Sequence, residues 1–526
     1  MTEKVLVSSY QPYNVKLVQL FAKNHGWQPC IWFTADENRD QVNECFPDCV
    51  QYDFFCVIKG VLPSGLNETD LRLPAPDELR IMAEYEMDFL YRLERNDSNY
   101  SAFEYKARLA FYYRCVALWM YLLKKHEISI ILFEEEPHQA ADFGLYVTAK
   151  LLNISTAMMT RTVADLGVLP LKDYRVGSPL LVAKYAALLE QGWDTYPIDS
   201  GVQAYIDTLN SDYQRVLATH LWDQVEEYNS LTSQRRMPSI SVRRLISRIS
   251  LGLGVVRRVV FNTSIRSDQY KPGFTLQTSH YTYREYILNK LRAIRVKKEL
   301  KKAYSELAIT DLAALPQQKK IIYLALQYQP EKSTSPLAGR FVDQGYMVKF
   351  LAATAGEDWH IVVKEHPSQF IDSYTRFGEC LRNANYYREL AALPNVSLMS
   401  LEFDSFRLMG LASAVASAGG TVCWEAVARG LPAITFAHCW FKACHGVFYI
   451  DSSQDLREAL SEIDAGFKPA LGKVRCFAQV VKDFGFNGAI GGRASLDYKG
   501  LTDEDNAEVH YQALAQLLGY SAHSLS

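Results

Sequence analysis

Four short segments of this sequence carry residues suited to chemistry on an anionic substrate. Residues 417–436 read SAGGTVCWEAVARGLPAITF. Ser417, Gly419, Gly420 and Thr421 stand between an apolar run and a helical pattern. Glycines let a backbone approach a ligand closely. A helix N-terminus offers free N–H groups and a partial positive charge, which suit a phosphate. Glu425 lies one turn into that helix, where its carboxylate can accept hydrogen bonds from a ribose diol. A plain strand-to-helix turn uses the same glycines and is the competing reading.

The second segment is Lys364-Glu365-His366-Pro367, at the end of the apolar run WHIVV. Lys364 and His366 alternate with Glu365, which puts them on one side of a strand end. There they suit a nucleotide phosphate and the charge that develops as it leaves. The alternative is a surface lysine beside a structural histidine. The third segment, LQYQPEKSTSP (326–336), again follows a strand pattern. Glu331, among Gln329, Ser333, Thr334 and Ser335, suits a nucleophile or a general base. The fourth, FEEEPH (133–138), groups Glu134, Glu135 and Glu136 with His138. Neighbouring carboxylates raise one another's pKa, as acid–base catalysis requires, and such a group also suits a metal.

These segments fall at comparable places in two runs of strand–helix alternation. KVLVSSY (4–10), CIWFTAD (30–36), CVQYDFF (49–55) and ISIILFEEEPH (128–138) read as strands. Helical patterns lie between and after them, one of them (14–26) closed by Gly26. Long helical segments are expected over 76–97 and 100–127. Alternation resumes near residue 319 with KKIIYLALQY, WHIVVKEHP, NVSLMS, ASAVASAGG and LPAITFA as strands. The class is therefore α/β, with mostly parallel sheets covered on both faces. Ligands of such folds sit at the carboxyl ends of strands, and a two-domain version puts the site in the cleft.

Between the two runs, residues 165–315 show helical segments, polar loops and basic clusters. Arg235, Arg236, Arg243, Arg244, Arg248, Arg257 and Arg258 lie among apolar residues. They read either as a solvated face or as an attachment to an anionic membrane surface or acidic polymer. With 526 residues, two domains are expected. The net charge of -3 argues against a general nucleic-acid binder. The ten cysteines form no C-x-x-C pair, as expected of reduced thiols in a cytosol rather than a disulfide framework or zinc site. No run of 18 apolar residues is present and the N-terminus lacks a signal-peptide pattern, so neither a spanning helix nor a secretory leader is expected.

Together the four segments resemble the bacterial capsule-polysaccharide glycosyltransferases of GT-B-like fold, in particular the retaining β-Kdo transferases and related nonulosonic-acid transferases. The resemblance is most specific from about 320 to 440. In that superfamily a K-x-H-P segment, and a serine–glycine turn followed by a helical Glu-Ala, bind the CMP part of a CMP-sugar. Here these are Lys364 to Pro367, and Ser417 through Glu425-Ala426. Bacterial sialyltransferases carry a similar His-Pro segment and use the same type of donor. The β-Kdo transferases have an acidic turn before that histidine, with an Asp taken as the nucleophile; Glu331 stands in its place here. Their upstream acid–base carboxylate sits in an E-D-G segment, matched by Glu134-Glu135-Glu136 without the glycine. The resemblance leaves the choice among Glu134, Glu135 and Glu136 open, and Glu135, with His138 nearby, is the expected acid–base group. Metal-dependent sugar transferases usually show a D-x-D at a strand end. Asp503-Glu504-Asp505 fits those letters but lies in a polar C-terminal segment and reads as a solvated surface run.

The resemblance implies two Rossmann-like domains facing a cleft. Their spans would be 1–165 for the acceptor, 166–315 for a helical and basic insertion or linker, 316–475 for the nucleotide-sugar and 476–526 for a helical tail. It implies transfer of Kdo or a nonulosonic acid from a CMP-sugar to a glycan or glycolipid acceptor, with retention and without metal or bound cofactor. The nucleotide would be held by Lys364, His366, Ser417, Gly419, Gly420, Thr421 and Glu425, and Glu331, Glu135, Glu136 and His138 would be catalytic. The expected location is the cytoplasm, with residues 235–258 on the inner membrane face. A UDP-sugar transferase or 2-epimerase of the same form is the alternative within enzymes. A noncatalytic glycan-binding or assembly subunit is the alternative outside them.

Overall fold

The computed structural model describes residues 2–58, 62–96, 105–163, 166–211, 264–265, 281–329, 331–370, 382–383 and 385–520. The arginine-rich segment 235–258 lies outside them. The architecture is the α/β, GT-B-like one expected, with two Rossmann-like sheets. In the first, β1 (Lys4–Ser8), β2 (Gln28–Thr34), β3 (Val50–Asp53), β4 (Ile130–Glu135), β5 (Ser155–Arg161) and β6 (Val168–Leu171) take the order β3-β2-β1-β4-β5-β6. β7 (Ser264–Ile265) and β8 (Tyr281–Thr282) form a two-stranded ribbon. In the second sheet, β9 (Lys320–Ala325), β10 (Trp359–Lys364), β11 (Val396–Leu398), β12 (Ala414–Ser417), β13 (Ala433–Thr435) and β14 (Val447–Tyr449) take the order β11-β10-β9-β12-β13-β14. Within these two sheets only β6 runs antiparallel to its neighbour. Strand order reverses between β1 and β4 and between β9 and β12, the places where open α/β sheets leave a crevice for ligands.

Burial on both faces explains the continuous apolar strands. Val5 and Val7 pack into one cluster and Leu6 into another on the opposite face. Every residue of β10 is buried. Helix Tyr13–His25 ends at Gly26, whose left-handed φ of 70° lets its N–H reach the Ala22 carbonyl.

Three parts of the chain depart from the expected spans. β6 extends the N-terminal sheet beyond residue 165 and is short, antiparallel and interrupted by Pro170, so no alternation marks it. The described parts of 166–315 build the domains themselves. Tyr185 in helix Pro179–Gln191 donates its hydroxyl to the Lys473 carbonyl at 2.9 Å. Tyr304 in helix Tyr283–Leu307 donates to the Met399 carbonyl and accepts from the Glu365 N–H. The tail returns to the N-terminal domain, where Asn24 and Trp27 donate to the Tyr511 and Tyr520 hydroxyls at 2.9 and 3.0 Å. Asp503, Glu504 and Asp505 form the first turn of helix Asp503–Leu518. Thr502 caps it and Asp505 completes a capping box, so this acidic run is a helix start.

Among the described residues no helix is long and apolar enough to cross a membrane, and no group of three His, Cys, Asp or Glu is placed to hold a metal.

Candidate active site

The loop after β9 crosses to the carboxyl end of β4 and is bonded within its own domain to the Lys364 strand end and to Ser417. Across the C-terminal sheet, Lys364 of β10 pairs with Ala325 of β9, and Ala325 with Ser417 of β12. The lysine strand end, the Glu331 loop and the glycine turn therefore leave three adjacent strands at one level. Adjacent strands lie about 4.8 Å apart, so Lys364 and Ser417 are about 10 Å apart, the scale of a nucleoside monophosphate.

Lys364 is 7% exposed, and its ammonium donates to the Ser405 hydroxyl at 2.8 Å. Burial lowers its pKa to about 8, against the opposing charge of Asp404. No carboxylate makes an ion pair with it among the described residues, an arrangement that favours an incoming anion. His366 accepts the Ser368 N–H at Nδ1, 3.2 Å away. Its proton then sits on Nε2, a neutral donor. Burial lowers the His366 pKa, and the charges of Glu331 and Glu365 oppose that shift.

Glu365 turns the other way, as the alternation requires. It is 1% exposed and receives Arg382 Nε at 2.8 Å and the Tyr387 hydroxyl at 2.7 Å. Arg382 also donates to the Gln329 side chain at 2.7 Å, and Gln329 donates to the Val342 carbonyl at 2.7 Å. This buried network anchors the start of the Glu331 loop. Glu331 itself is half-buried, with Ser333 Oγ 2.9 Å from its Oε2. Its carbonyl accepts the N–H groups of Thr334 and Ser335 at 3.1 and 2.9 Å, which tightens the turn.

The glycine turn differs from its sequence reading. The Ser417 hydroxyl donates to the Ala325 carbonyl and accepts from Gln327 Nε2, both at 2.9 Å. It pins β9 to β12 across the crevice. A Cβ on Gly420 would lie 2.2 Å from Gln327 Nε2, and one on Gly419 would lie 2.6 Å from the Ala437 Cβ. Both glycines thus make room for neighbouring side chains. Thr421 is exposed at the start of helix Thr421–Ala428 and hydrogen-bonds Glu425 one turn on. Burial raises the Glu425 pKa, opposed by that bond and by Arg429.

Across the cleft the three glutamates have different environments. Lys332, which sequence reasoning passed over, donates to Glu135 at 2.8 Å and to Glu136 at 2.9 Å. Burial alone would raise the Glu135 pKa, but Lys332, His138 and Arg161 hold it well below the usual carboxylate range. His138 Nδ1 is 3.6 Å from Glu135 and 3.2 Å from the Glu136 carbonyl. Glu136 is 2% exposed and also accepts from the Thr160 hydroxyl. Glu134 accepts from Ser9 Oγ and the Gly491 N–H at 2.9 Å and from the Tyr13 hydroxyl at 3.3 Å. It bridges the β1–β4 crevice. Burial, then the Glu135 charge, raise its pKa to about 7. A second contact joins the domains nearby, where Ser335 Oγ donates to Asp88 at 2.5 Å. Lys332 and Ser335 follow Glu331 in the same loop. Their partners lie far away in sequence, so spacing gave no signal for them.

No protein-family profile and no curated protein sequence matches this chain. Among solved structures, 116 chains match. The UDP-GlcNAc 2-epimerase of Neisseria meningitidis, solved with UDP-GlcNAc, is similar at 10% identity, covering 98% of this chain and 100% of that one, with a TM-score of 0.22. A glycosyltransferase of Rickettsia africae is similar at 9% identity, covering 99% and 100%, with a TM-score of 0.23. The β-Kdo 2,7-transferase KpsC of Thermosulfurimonas dismutans is similar at 12% identity, covering 76% and 89%, with a TM-score of 0.26.

Proposed function

We propose that this chain is a glycosyltransferase that takes its sugar from a CMP-linked donor, Kdo or a nonulosonic acid, and passes it to a glycan or glycolipid hydroxyl. The observation that carries this reading is Lys364. A buried ammonium with a hydroxyl partner stands in one row with a helix N-terminus, and neutral His366 is beside it. That arrangement suits a single phosphate held without a metal. Thr421 and Glu425 take the ribose. Ser417, Gly419 and Gly420 shape the turn.

In this reading Glu331 acts as the nucleophile. Its carboxylate bonds to the anomeric carbon as the bond to the CMP oxygen breaks, and CMP leaves with that electron pair. Glu134, whose pKa lies near neutrality, takes the proton of the acceptor hydroxyl. The acceptor oxygen then displaces Glu331, and the two inversions give retention. Glu135 and Glu136, tied to Lys332, hold the two domains in register. His138 supports Glu135. The arginines of 235–258 are proposed to hold the protein on an anionic membrane face. Neutralising Arg243, Arg244, Arg257 and Arg258 should then reduce liposome binding and leave transfer to a soluble acceptor unchanged.

The test is a transfer assay across CMP-, UDP- and GDP-sugars with EDTA present. Turnover confined to CMP-linked donors supports the reading. Turnover or epimerisation of UDP-sugars moves it to the alternative enzyme, and no reaction with any donor removes it.

A further inference from the structure

The end of β13 carries a second group of donors that nucleotide monophosphate binding leaves unused. Ala437 packs against Gly419, and the His438 N–H donates to the Leu337 carbonyl at 2.8 Å. His438 therefore sits immediately beside the glycine turn and the Glu331 loop. Lys442 Nζ, in the same segment, lies 2.8 Å from the Arg175 carbonyl of the N-terminal domain and 3.4 Å from His438 Nδ1. His438 Nε2 lies 3.2 Å from the Tyr449 hydroxyl at the end of β14.

The direction of these bonds follows from the donors available. An ammonium has no lone pair, so His438 Nδ1 accepts from Lys442 and its proton is on Nε2. Nε2–H then donates to the Tyr449 oxygen, and the Tyr449 O–H points onward. Two of the three Lys442 N–H bonds have acceptors among the described residues, and the ammonium also lies over the Tyr449 ring, 5.4 Å from its centroid. The surrounding charge is uneven. Asp173 is held by Lys150 at 2.6 Å and by the Tyr146 hydroxyl at 2.8 Å. Asp451 lies 3.6 Å from Arg340, and Glu84 lies 3.8 Å from Arg175. No carboxylate makes an ion pair with Lys442 among the described residues. Burial first, then the charges of Lys442, Arg175 and Arg340 against that of Asp173, lowers the His438 pKa to about 4, so the ring is neutral. Burial keeps Tyr449 protonated, with its pKa raised to about 12.

We propose that Lys442 and Tyr449, oriented by His438, form an oxyanion subsite at the domain interface, distinct from Lys364. It takes a second anionic group of the substrate, either the carboxylate of a sugar acid or a second phosphoryl group. That the group belongs to the donor rests on the function proposed above; the subsite itself does not.

The test titrates N-acetylneuraminate and, separately, inorganic phosphate into wild type, Lys442→Met, Lys442→Arg and Tyr449→Phe, read by calorimetry and thermal shift. A Lys364→Met control removes phosphate bound at the first site. Wild type should bind at least one probe. Lys442→Met should weaken it about tenfold or more, while Lys442→Arg stays close to wild type. Tyr449→Phe keeps the ring and should weaken binding by about threefold to tenfold, which tests the subsite even if Lys442→Met fails to fold. Preference for N-acetylneuraminate assigns a carboxylate, and preference for phosphate a phosphoryl group. Equal binding by wild type, Lys442→Met and Tyr449→Phe, or no binding of either probe to wild type, overturns the subsite. Loss of CMP binding with probe binding intact would overturn the proposed function and leave the subsite standing.

Discussion

Replacing Lys332 by methionine removes the cation that Glu135 and Glu136 share and leaves a chain of similar length. Both ion pairs are short, 2.8 and 2.9 Å. In an effective dielectric of about 20 each is worth roughly 6 kcal/mol before desolvation, and desolvation of the three groups offsets most of that. Breaking a buried pair by deleting one partner costs about 3–5 kcal/mol. The Lys332 side chain is 25% exposed and Glu135 17%, against 3% for Glu136. That exposure puts the expected loss at the low end, about 3 kcal/mol. For a domain of this size the apparent melting temperature should fall by about 6–12 °C at pH 7. The pH dependence gives a second handle. The folded Glu135 pKa is held below its ordinary value of 4.5, so its stabilisation is present above that pH and fades as pH falls below it. Scanning calorimetry of both proteins at pH 7 and at steps from pH 4.5 down to about pH 3 should therefore show a constant gap above pH 4.5 that narrows below it. A melting temperature unchanged at pH 7, or a gap that does not narrow, would refute the claim that Lys332 neutralises the acidic cluster across the domains.

Other substitutions test the catalytic and nucleotide assignments. Glu331→Gln should abolish turnover and leave CMP affinity unchanged; wild-type turnover in that variant removes it as nucleophile. His366→Ala should weaken CMP about threefold to tenfold by calorimetry, the loss of one neutral hydrogen bond to phosphate. Glu134 has a folded pKa of about 7 against an ordinary 4.5, so the base form needed for transfer appears as pH rises through about 7. Turnover should rise over that range, and Glu134→Gln should lose the limb. The same shift makes wild type less stable as pH rises from about 4.5 through about 7, so stability of Glu134→Gln relative to wild type should improve over that window.

Most strands of the two sheets were legible because they are continuous apolar runs and their helices end in glycines that the geometry uses, as at Gly26 and Gly430; β5, β6 and β14 were not read as strands. The place of Lys364 at a strand end was legible for the same reason, since β10 is a buried apolar run that stops there. Long-range packing hid the rest. Gly420 looks like a ligand cradle, but its missing Cβ admits Gln327, a side chain from another strand's loop. Ser417 looks like a phosphate ligand, but its hydroxyl is occupied by Ala325 and Gln327. Three adjacent glutamates look alike in sequence. A lysine 197 residues beyond Glu135 separates them, leaving Glu134 near neutrality and Glu135 an anion. The tail gave no sign that Tyr511 and Tyr520 reach back to Asn24 and Trp27, because such contacts leave no local pattern.

The central claim is that the Lys364 ammonium awaits the phosphate of a cytidine nucleotide. Calorimetric titration of CMP into wild type and Lys364→Met, in the presence of EDTA, tests it most directly. The account predicts CMP binding by wild type that EDTA does not change, weakened about tenfold or more in Lys364→Met. Absence of CMP binding, or equal affinity in the two proteins, would contradict it.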